Sequence, residues 1–352
     1  MSRNPAEKAR MDRGYIKIVG WIVAFAAVAV AAALAGGFFG RHHPALDSLA
    51  HFRVHLAIAL LLAALVLLAV RGFRRLGLVA AAFGAGAIMS VTSLSIIPGL
   101  GPVQASHDGA DATLPVYRLL HLNLRFNNPD PGKVLSLIGR TRPDIVTLNE
   151  VSRMWADKLR LLESAYPHRI VCTTEGHAGA VAILSLRPFA DGVEAQCRQG
   201  GALATASVDL GGRFVDIGTL HLHWPWPKDQ AAQIGRMTPE LGQLSETAIL
   251  SGDLNATPWS AASQRVADAA GVTFAGPDNP TWLWRRLPEW LRFAGLPIDR
   301  IFTKGEVVVR SVRTLEPAGS DHLPVLLEFS LEGPEPVPED EKTATAFLAL
   351  PD

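Results

Sequence analysis

The amino-acid sequence predicts an α/β layered sandwich preceded by three transmembrane helices. Three observations carry that expectation. Three long apolar stretches without Asp, Glu, Lys or Arg open the chain. Strand-like and helix-like segments mix after residue 116, separated by Gly/Pro turns. Polar residues also stand repeatedly at the ends of otherwise apolar strands. At 352 residues the chain has room for one large domain and an appendage.

The apolar stretches are Ile18–Phe39, Val54–Val70 (with His55 near its start) and Leu76–Ile97. A helix rises about 1.5 Å per residue and a hydrocarbon core takes about 20 residues to cross, so each is a candidate span. A cleaved signal peptide would account for one stretch and would be shorter. The low charged fraction, 19%, suits a chain partly in lipid. Residues 1–97 therefore read as a membrane anchor, with spans at about 18–39, 54–70 and 76–97. Arg3, Lys8, Arg10, Arg13 and Lys17 precede the first span, and Arg71, Arg74 and Arg75 fill the second loop. The first loop holds Arg41 and Arg53, offset by Asp47. By the positive-inside rule the N-terminus and second loop face the cytoplasm. The remainder then lies on the periplasmic, extracytoplasmic side of the cytoplasmic membrane.

Residues 98–115 read as a Gly/Pro-rich linker, 116–330 as the main domain, and 331–352 as an acidic, Pro-rich, disordered tail. Strand character marks Val116–Leu124, Asp144–Leu148, Ala178–Ser185, Ala202–Asp209, Phe214–His221, Ala248–Ser251, Ile298–Phe302 and Leu323–Phe329. Helices are expected from Asp130-Pro131 to Arg140 and over Gln230–Thr247. Net charge is zero, but residues 1–106 hold ten Lys/Arg against three Asp/Glu, leaving 23 against 30 beyond, a net of −7. That domain has no basic footprint for gripping a polyanion, which counts against a nuclease. Cys172 and Cys197 fit no zinc motif; they pair as a disulfide if exported, or stand as separate buried thiols.

Asn123, Glu150, His221, Asp253 with Asn255, and Asp321-His322 end apolar runs, and Asp299 sits inside Ile298–Phe302. Singly, each is a capped turn or solvated strand end. Together they make a hard-oxygen metal site with acid/base groups beside it, an inventory suited to Mg²⁺ and phosphate chemistry.

The segments Leu122-Asn123-Leu124, Pro143-Asp144-Ile145-Val146-Thr147-Leu148-Asn149-Glu150, Leu220-His221-Leu222, Ser251-Gly252-Asp253-Leu254-Asn255-Ala256-Thr257-Pro258 and Gly319-Ser320-Asp321-His322-Leu323-Pro324-Val325 resemble the endonuclease/exonuclease/phosphatase superfamily, in family order. The resemblance implies a four-layer α/β sandwich of two β-sheets flanked by helices, and a metal-dependent hydrolase of phosphate esters. It implies Glu150 as principal Mg²⁺ ligand (Mn²⁺ a possible substitute), with Asn123 beside it and Asp321 as a further ligand. Asp253 would orient or deprotonate the attacking water and Asn255 would hydrogen-bond the phosphate. His322 would contact the phosphate, held by Asp299, with His221 as a second imidazole. Arg300 departs from the His or Tyr common after that Asp, and reads as facing the substrate. A second acidic residue seen in some nucleases has no clear counterpart; Glu175 is nearest in order. His223 reads as an ordinary strand-end residue.

Trp224, Trp226, Trp259, Trp282, Trp284 and Trp290 admit two readings, core and rim packing or a lipid-facing rim. Within Thr281–Ala294 they alternate with Arg285, Arg286 and Arg292, a pattern suited to anionic headgroups. The expected partners are the bilayer and a phosphorylated lipid or envelope substrate, such as a phospholipid or polyprenyl diphosphate. The alternatives are an anchored nuclease acting on nucleic acid and a catalytically inactive binding protein. The oligomeric state is not readable.

Overall fold

A computed structural model describes residues 5–92, 113–172, 180–276 and 279–333, with side chains from residue 14. The expected linker up to residue 112, the end of the third apolar stretch, Glu175 and the tail from residue 334 lie outside the described residues.

Two six-stranded mixed sheets form the main domain. Its strands are β1 (Tyr117–Asn123), β2 (Ile145–Asn149), β3 (His168–Val171), β4 (Val181–Ser185), β5 (Gln196–Arg198) and β6 (Leu203–Asp209). They continue with β7 (Phe214–His221), β8 (Ala248–Asp253), β9 (Thr273–Phe274), β10 (Asp299–Lys304), β11 (Val307–Thr314) and β12 (Val325–Leu331). One sheet runs β11-β12-β1-β2-β4-β3 and the other β5-β6-β7-β8-β10-β9. Each has one central parallel pair, β1–β2 and β7–β8.

Among the described residues, four α-helices precede β1: α1 (Pro5–Gly37), α2 (Pro44–Ala50), α3 (Arg53–Ala69) and α4 (Arg74–Met89). Four more accompany the sheets: α5 (Pro131–Thr141), α6 (Arg153–Leu159), α7 (Gln230–Leu241) and α8 (Ala261–Ala270). Strand alternation sorts the core into layers. Leu119, Ile145, Ile183, Ile217, Ile249, Ile301 and Leu327 meet between the sheets. Leu120, Leu122, Val146 and Leu148 turn the other way, onto Val134 and Ile138 of α5 and Trp155 of α6. On the second sheet Leu203, Leu220, Leu250 and Phe302 pack against Ile234 and Met237 of α7 and Val266 of α8. The result is the four-layer α/β sandwich expected. Cys172 and Cys197 form a disulfide between the β3–β4 loop and β5, closing one of the two readings.

Several elements end elsewhere than the sequence suggests. α7 stops at Leu241 because Gly242 takes over its capping bonds, and residues 242–247 turn into β8. Local periodicity did not flag β3, β5, β9, β11, α6 or α8. Gly14–Gly37 and Arg71–Met89 are long and apolar enough to cross a membrane, and α2 with α3, bent by 63°, makes a third candidate. The first apolar helix stops at Gly37, and the third at Met89, where the backbone N–H of Ser90 caps it. α2 occupies what reads as a plain connection. Its N-terminus is capped by His43, whose Nδ1 accepts from Ala45 N–H at 3.1 Å, with Pro44 in the first turn. α3 and α4 pack closely because Gly77 and Gly84 leave room for Leu68 and Leu61.

Candidate active site

Along five strands the face between the sheets changes from apolar to polar as it nears one edge. The series are Leu119, His121, Asn123 on β1; Ile145, Thr147, Asn149 on β2; Ile217, Thr219, His221 on β7; Ile249, Ser251, Asp253 on β8; and Ile301 then Asp299 on β10. Each is a period-2 series, so one strand register delivers its polar residues to one place. β10 is antiparallel to β8, which brings Asp299 to the shared edge at the start of its strand rather than the end. Asp299, Asp253 and His221 lie in one cross-strand row. Gly252 permits the tight β7–β8 approach beside them: a Cβ there would collide with the Leu220 carbonyl oxygen.

Asp253 is the meeting point. Its Oδ2 accepts from Asn123 Nδ2 at 2.8 Å and lies 3.6 Å from His221 Nε2 and 3.8 Å from His322 Nε2. The same Asn123 amide donates to Glu150 Oε1 at 3.2 Å. Glu150 Oε2 accepts from the Phe126 N–H at 2.7 Å. Glu150 adopts a left-handed backbone conformation, φ 56°, uncommon for a residue with a side chain and concentrated at functional positions. Asn255 shares that conformation, at φ 46°. Its amide donates to Leu222 O and its N–H to Asp253 Oδ1, so part of it serves the loop's own structure.

Asp299 Oδ2 accepts from His322 Nδ1 at 2.8 Å, leaving Nε2 toward Asp253. Burial acts to lower the His322 pKa, but the Asp299 and Asp253 charges and the Asp299 hydrogen bond outweigh it, and it is pushed up to about 10. Burial acts to raise Asp299, yet the His322 charge and bonds from both imidazoles hold it well below the usual carboxylate range. Asp253 moves the opposite way, raised chiefly by burial and further by Asp299. Two carboxylates on adjacent strands thus have opposed proton affinities, a pattern that separates acid/base tasks.

Sequence reasoning passed over the groups that hold these side chains. His121 is fully buried, with Nδ1 3.1 Å from Thr147 Oγ1 and Nε2 3.6 Å from Asp299 Oδ1, so Asp299 sits between two imidazoles. Ser251 Oγ donates to Thr147 across the sheets, and Asn149 Oδ1 accepts the Asp253 N–H at 2.7 Å. Thr281 Oγ1 accepts from the N–H groups of Ile298 and Asp299. A histidine amid the apolar residues of β1, two before Asn123, was the available signal. Among the described residues, no hydrogen bond ties the Asp321 carboxylate to Glu150 or Asp253; the Asp321 carbonyl accepts from Leu283 N–H and Arg292. Arg300 does not share the cleft face of Asp299. It is buried on the reverse side of β10, its guanidinium 5.2 Å from the Phe274 ring centroid, because β10 alternation turns it away from Asp299. His223 is exposed and pairs with Asp229.

Asp253, Asp299 and His322 bring ligand atoms within 4.8 Å of one another. One oxygen of Asp299 is paired with His322 Nδ1, whereas the carboxylates of Glu150 and Asp253 meet at Asn123, which makes Glu150 beside Asn123 the best-placed holder of a hard cation. These two carboxylates converge on one neutral amide, a donor set of like charge that a divalent cation neutralises.

Residues 120–322 match the Endonuclease/Exonuclease/phosphatase family. No curated protein matches at the sequence level. The endonuclease/exonuclease/phosphatase protein from Bacteroides vulgatus is similar in structure, at 17% identity and TM-score 0.52, over 62% of this chain and 100% of that one. A D. rerio TDP2 complexed with single-strand DNA product is similar at 18% identity and TM-score 0.50, over 61% and 99%. Sphingomyelinase C from Streptomyces griseocarneus follows at 16% identity and TM-score 0.44, over 61% and 99%. The match spans more than half of the chain and contains every strand end described above: this protein belongs to the endonuclease/exonuclease/phosphatase family and is a metal-dependent hydrolase of phosphate ester bonds.

Proposed function

We propose that the protein is a membrane-anchored, Mg²⁺-dependent phosphoesterase that hydrolyses a phosphorylated lipid or envelope substrate on the extracytoplasmic side of the cytoplasmic membrane. The observation carrying this reading is the junction between anchor and site. Asp47 Oδ1 and Oδ2 accept from Ala261 and Ala262 N–H at 2.7 and 2.9 Å, and His51 Nδ1 accepts from Thr257 N–H at 3.3 Å. The loop leaving Asp253 and Asn255 is therefore held by the connection between the first two candidate spans, which would keep the site beside the bilayer. The Cys172–Cys197 disulfide and the Lys/Arg-rich N-terminus and second loop favour the extracytoplasmic side.

Glu150 and Asn123 would hold the cation, with Asp321 as a candidate further ligand. When bound, Mg²⁺ polarises the phosphoryl group and stabilises the leaving oxygen. Asp253, with its raised proton affinity, takes a proton from the attacking water. His322, kept protonated by Asp299, donates through Nε2 to a phosphate oxygen, and His221 offers a second imidazole from the other side of Asp253. Asn255 orients the phosphate. The Asp299–His322 pairing fixes which nitrogen faces the substrate.

The full-length protein in detergent should lose hydrolysis of bis(4-nitrophenyl) phosphate in chelator and regain it with Mg²⁺ or Mn²⁺. Undiminished turnover in chelator would overturn the assignment. Comparing phosphatidylglycerol, a polyprenyl diphosphate and single-stranded DNA as substrates then separates the lipid reading from an anchored nuclease; preference for DNA would replace it.

A further inference from the structure

Trp290 and Phe293 are the most exposed large apolar side chains of the main domain, at 73% and 74%. They belong to a short 3-10 helix, Glu289–Ala294, whose C-terminal half is tied in two directions. On one side, Ala294 O lies 2.8 Å from His55 Nε2, in the first turn of α3. On the other, Arg292 donates to the carbonyls of Thr281 and Asp321, the loops that carry Asp299 and His322. The helix therefore bridges the mouth of a candidate span and the catalytic cleft.

Lengths set its height relative to the bilayer. α3 has 17 residues and rises about 25 Å, less than the hydrocarbon thickness of about 30 Å. If α3 crosses the bilayer, almost all of it is needed inside the core, which would put His55 at the outer boundary and Ala294 with it. Trp226 is placed similarly, its carbonyl accepting from Ser48 Oγ of α2. Trp224 is half-exposed and packs edge-on against Trp282, which pairs by a β-bridge with His322. Exposed Arg285 and Arg286 flank the group, the latter 5.3 Å from the Trp284 ring centroid. Indole rings with basic residues beside them suit the headgroup layer of an anionic bilayer.

We propose that the face formed by Trp224, Trp226, Trp284, Trp290 and Phe293 is inserted in the outer headgroup layer of the same bilayer that α1, α3 and α4 cross. The cleft then opens onto lipid, and a substrate presents its phosphate while its chains remain in the membrane. This rests on the anchor crossing the bilayer and deepens the lipid-substrate reading above. Its occupant is the bilayer itself, because the face continues from the span through His55 and Ser48.

The test uses the full chain in vesicles of phosphatidylcholine and phosphatidylglycerol. Trp290→Cys, Phe293→Cys and, as a control, Glu316→Cys are each labelled with a polarity-sensitive fluorophore, the native cysteines being paired. Glu316 is exposed, beside Arg140 of α5. Doxyl-labelled lipid should quench positions 290 and 293 at least about threefold more than position 316. Equal quenching at all three would overturn the proposal, whatever the substrate proves to be. Failure to cleave any lipid while positions 290 and 293 are quenched would count against the substrate reading alone. Where lipid is cleaved, Trp290→Ser with Phe293→Ser should lower turnover of vesicle lipid at least about tenfold and leave bis(4-nitrophenyl) phosphate turnover unchanged. An equal loss on both substrates would overturn the proposal.

Discussion

Asp253 Oδ2 collects three neighbours, Asn123, His221 and His322, and single-residue changes there have separable consequences. Asp253→Asn keeps the shape but removes the proton acceptor, and should cost at least about 10²-fold in kcat, measured with bis(4-nitrophenyl) phosphate at saturating Mg²⁺. The double change with His322→Ala should cost much less than the product of the single losses, because both groups act on one phosphate. His223→Ala should leave kcat within about twofold, whereas His221→Ala should lower it at least tenfold; His223 pairs with Asp229 in solvent, while His221 faces Asp253. A pH profile tests the buried pair. The wild-type His322 stays protonated until about pH 10, so its contribution is lost as pH rises through that value. Asp299→Asn removes the charge that raises it, so the alkaline limb of kcat should move to lower pH. An unmoved limb would mean that His322 does not act as the protonated donor.

Elements impose their own constraint. α8 begins immediately after the loop of Asp253 and Asn255, and its first N–H groups are satisfied twice over. Ser260 Oγ accepts from Ser263 N–H within the helix, and Asp47 of α2 takes the N–H groups of Ala261 and Ala262. Trp259 Nε1 donates to Ala50 O and Arg53 reaches Trp259 O, so the junction is built from both directions. Loss of an N-terminal cap costs about 0.5–2 kcal/mol, more where the freed groups stay buried. Asp47→Ala should therefore lower the thermal unfolding midpoint of the full-length protein in detergent and also reduce kcat. Asp47→Asn, which retains one accepting oxygen, should fall between. Wild-type stability in Asp47→Ala would show that the junction bears no load. α8 was not visible in the sequence because its apolar content is mostly Ala, which gives little helical stripe, and much of what satisfies its first turn, Asp47, lies more than 200 positions from its local cap Ser260.

At the scale of the whole molecule the prediction concerns sidedness. A reporter that is active in the periplasm should be active when fused after Asp352 and silent when fused at Arg74, and Cys172 and Cys197 should resist alkylation until reduced. The reversed reporter pattern would put the domain in the cytoplasm and remove the setting in which the disulfide forms. Sidedness also decides which leaflet the Trp290 and Phe293 face meets, since α2 and the start of α3 lie at the same end of the anchor as the catalytic cleft.

Consecutive residues were enough to reveal three apolar stretches of membrane-spanning length, the layered fold and the inventory of chemistry. Apolar length is a property of consecutive residues, and strand alternation needs nothing beyond a period of two. The motifs around Asn123, Glu150, Asp253 and His322 were legible for the same reason, since each is read within eight consecutive residues, three at strand ends and His322 in the loop before β12. Tertiary structure alone decided what those side chains meet. His121 became a partner of Asp299, Asn149 came to hold Asp253, Arg300 turned inward onto Phe274, and Asp321 was held by its carbonyl instead of its carboxylate. Each outcome depends on how two sheets stack and on strands of opposite direction sharing an edge, so the partners lie more than 20 and often more than 100 residues apart. The docking of Asp47, His51 and His55 on the catalytic domain is the furthest such case. Local patterns record which face a residue takes; the packing of whole layers records what stands opposite it.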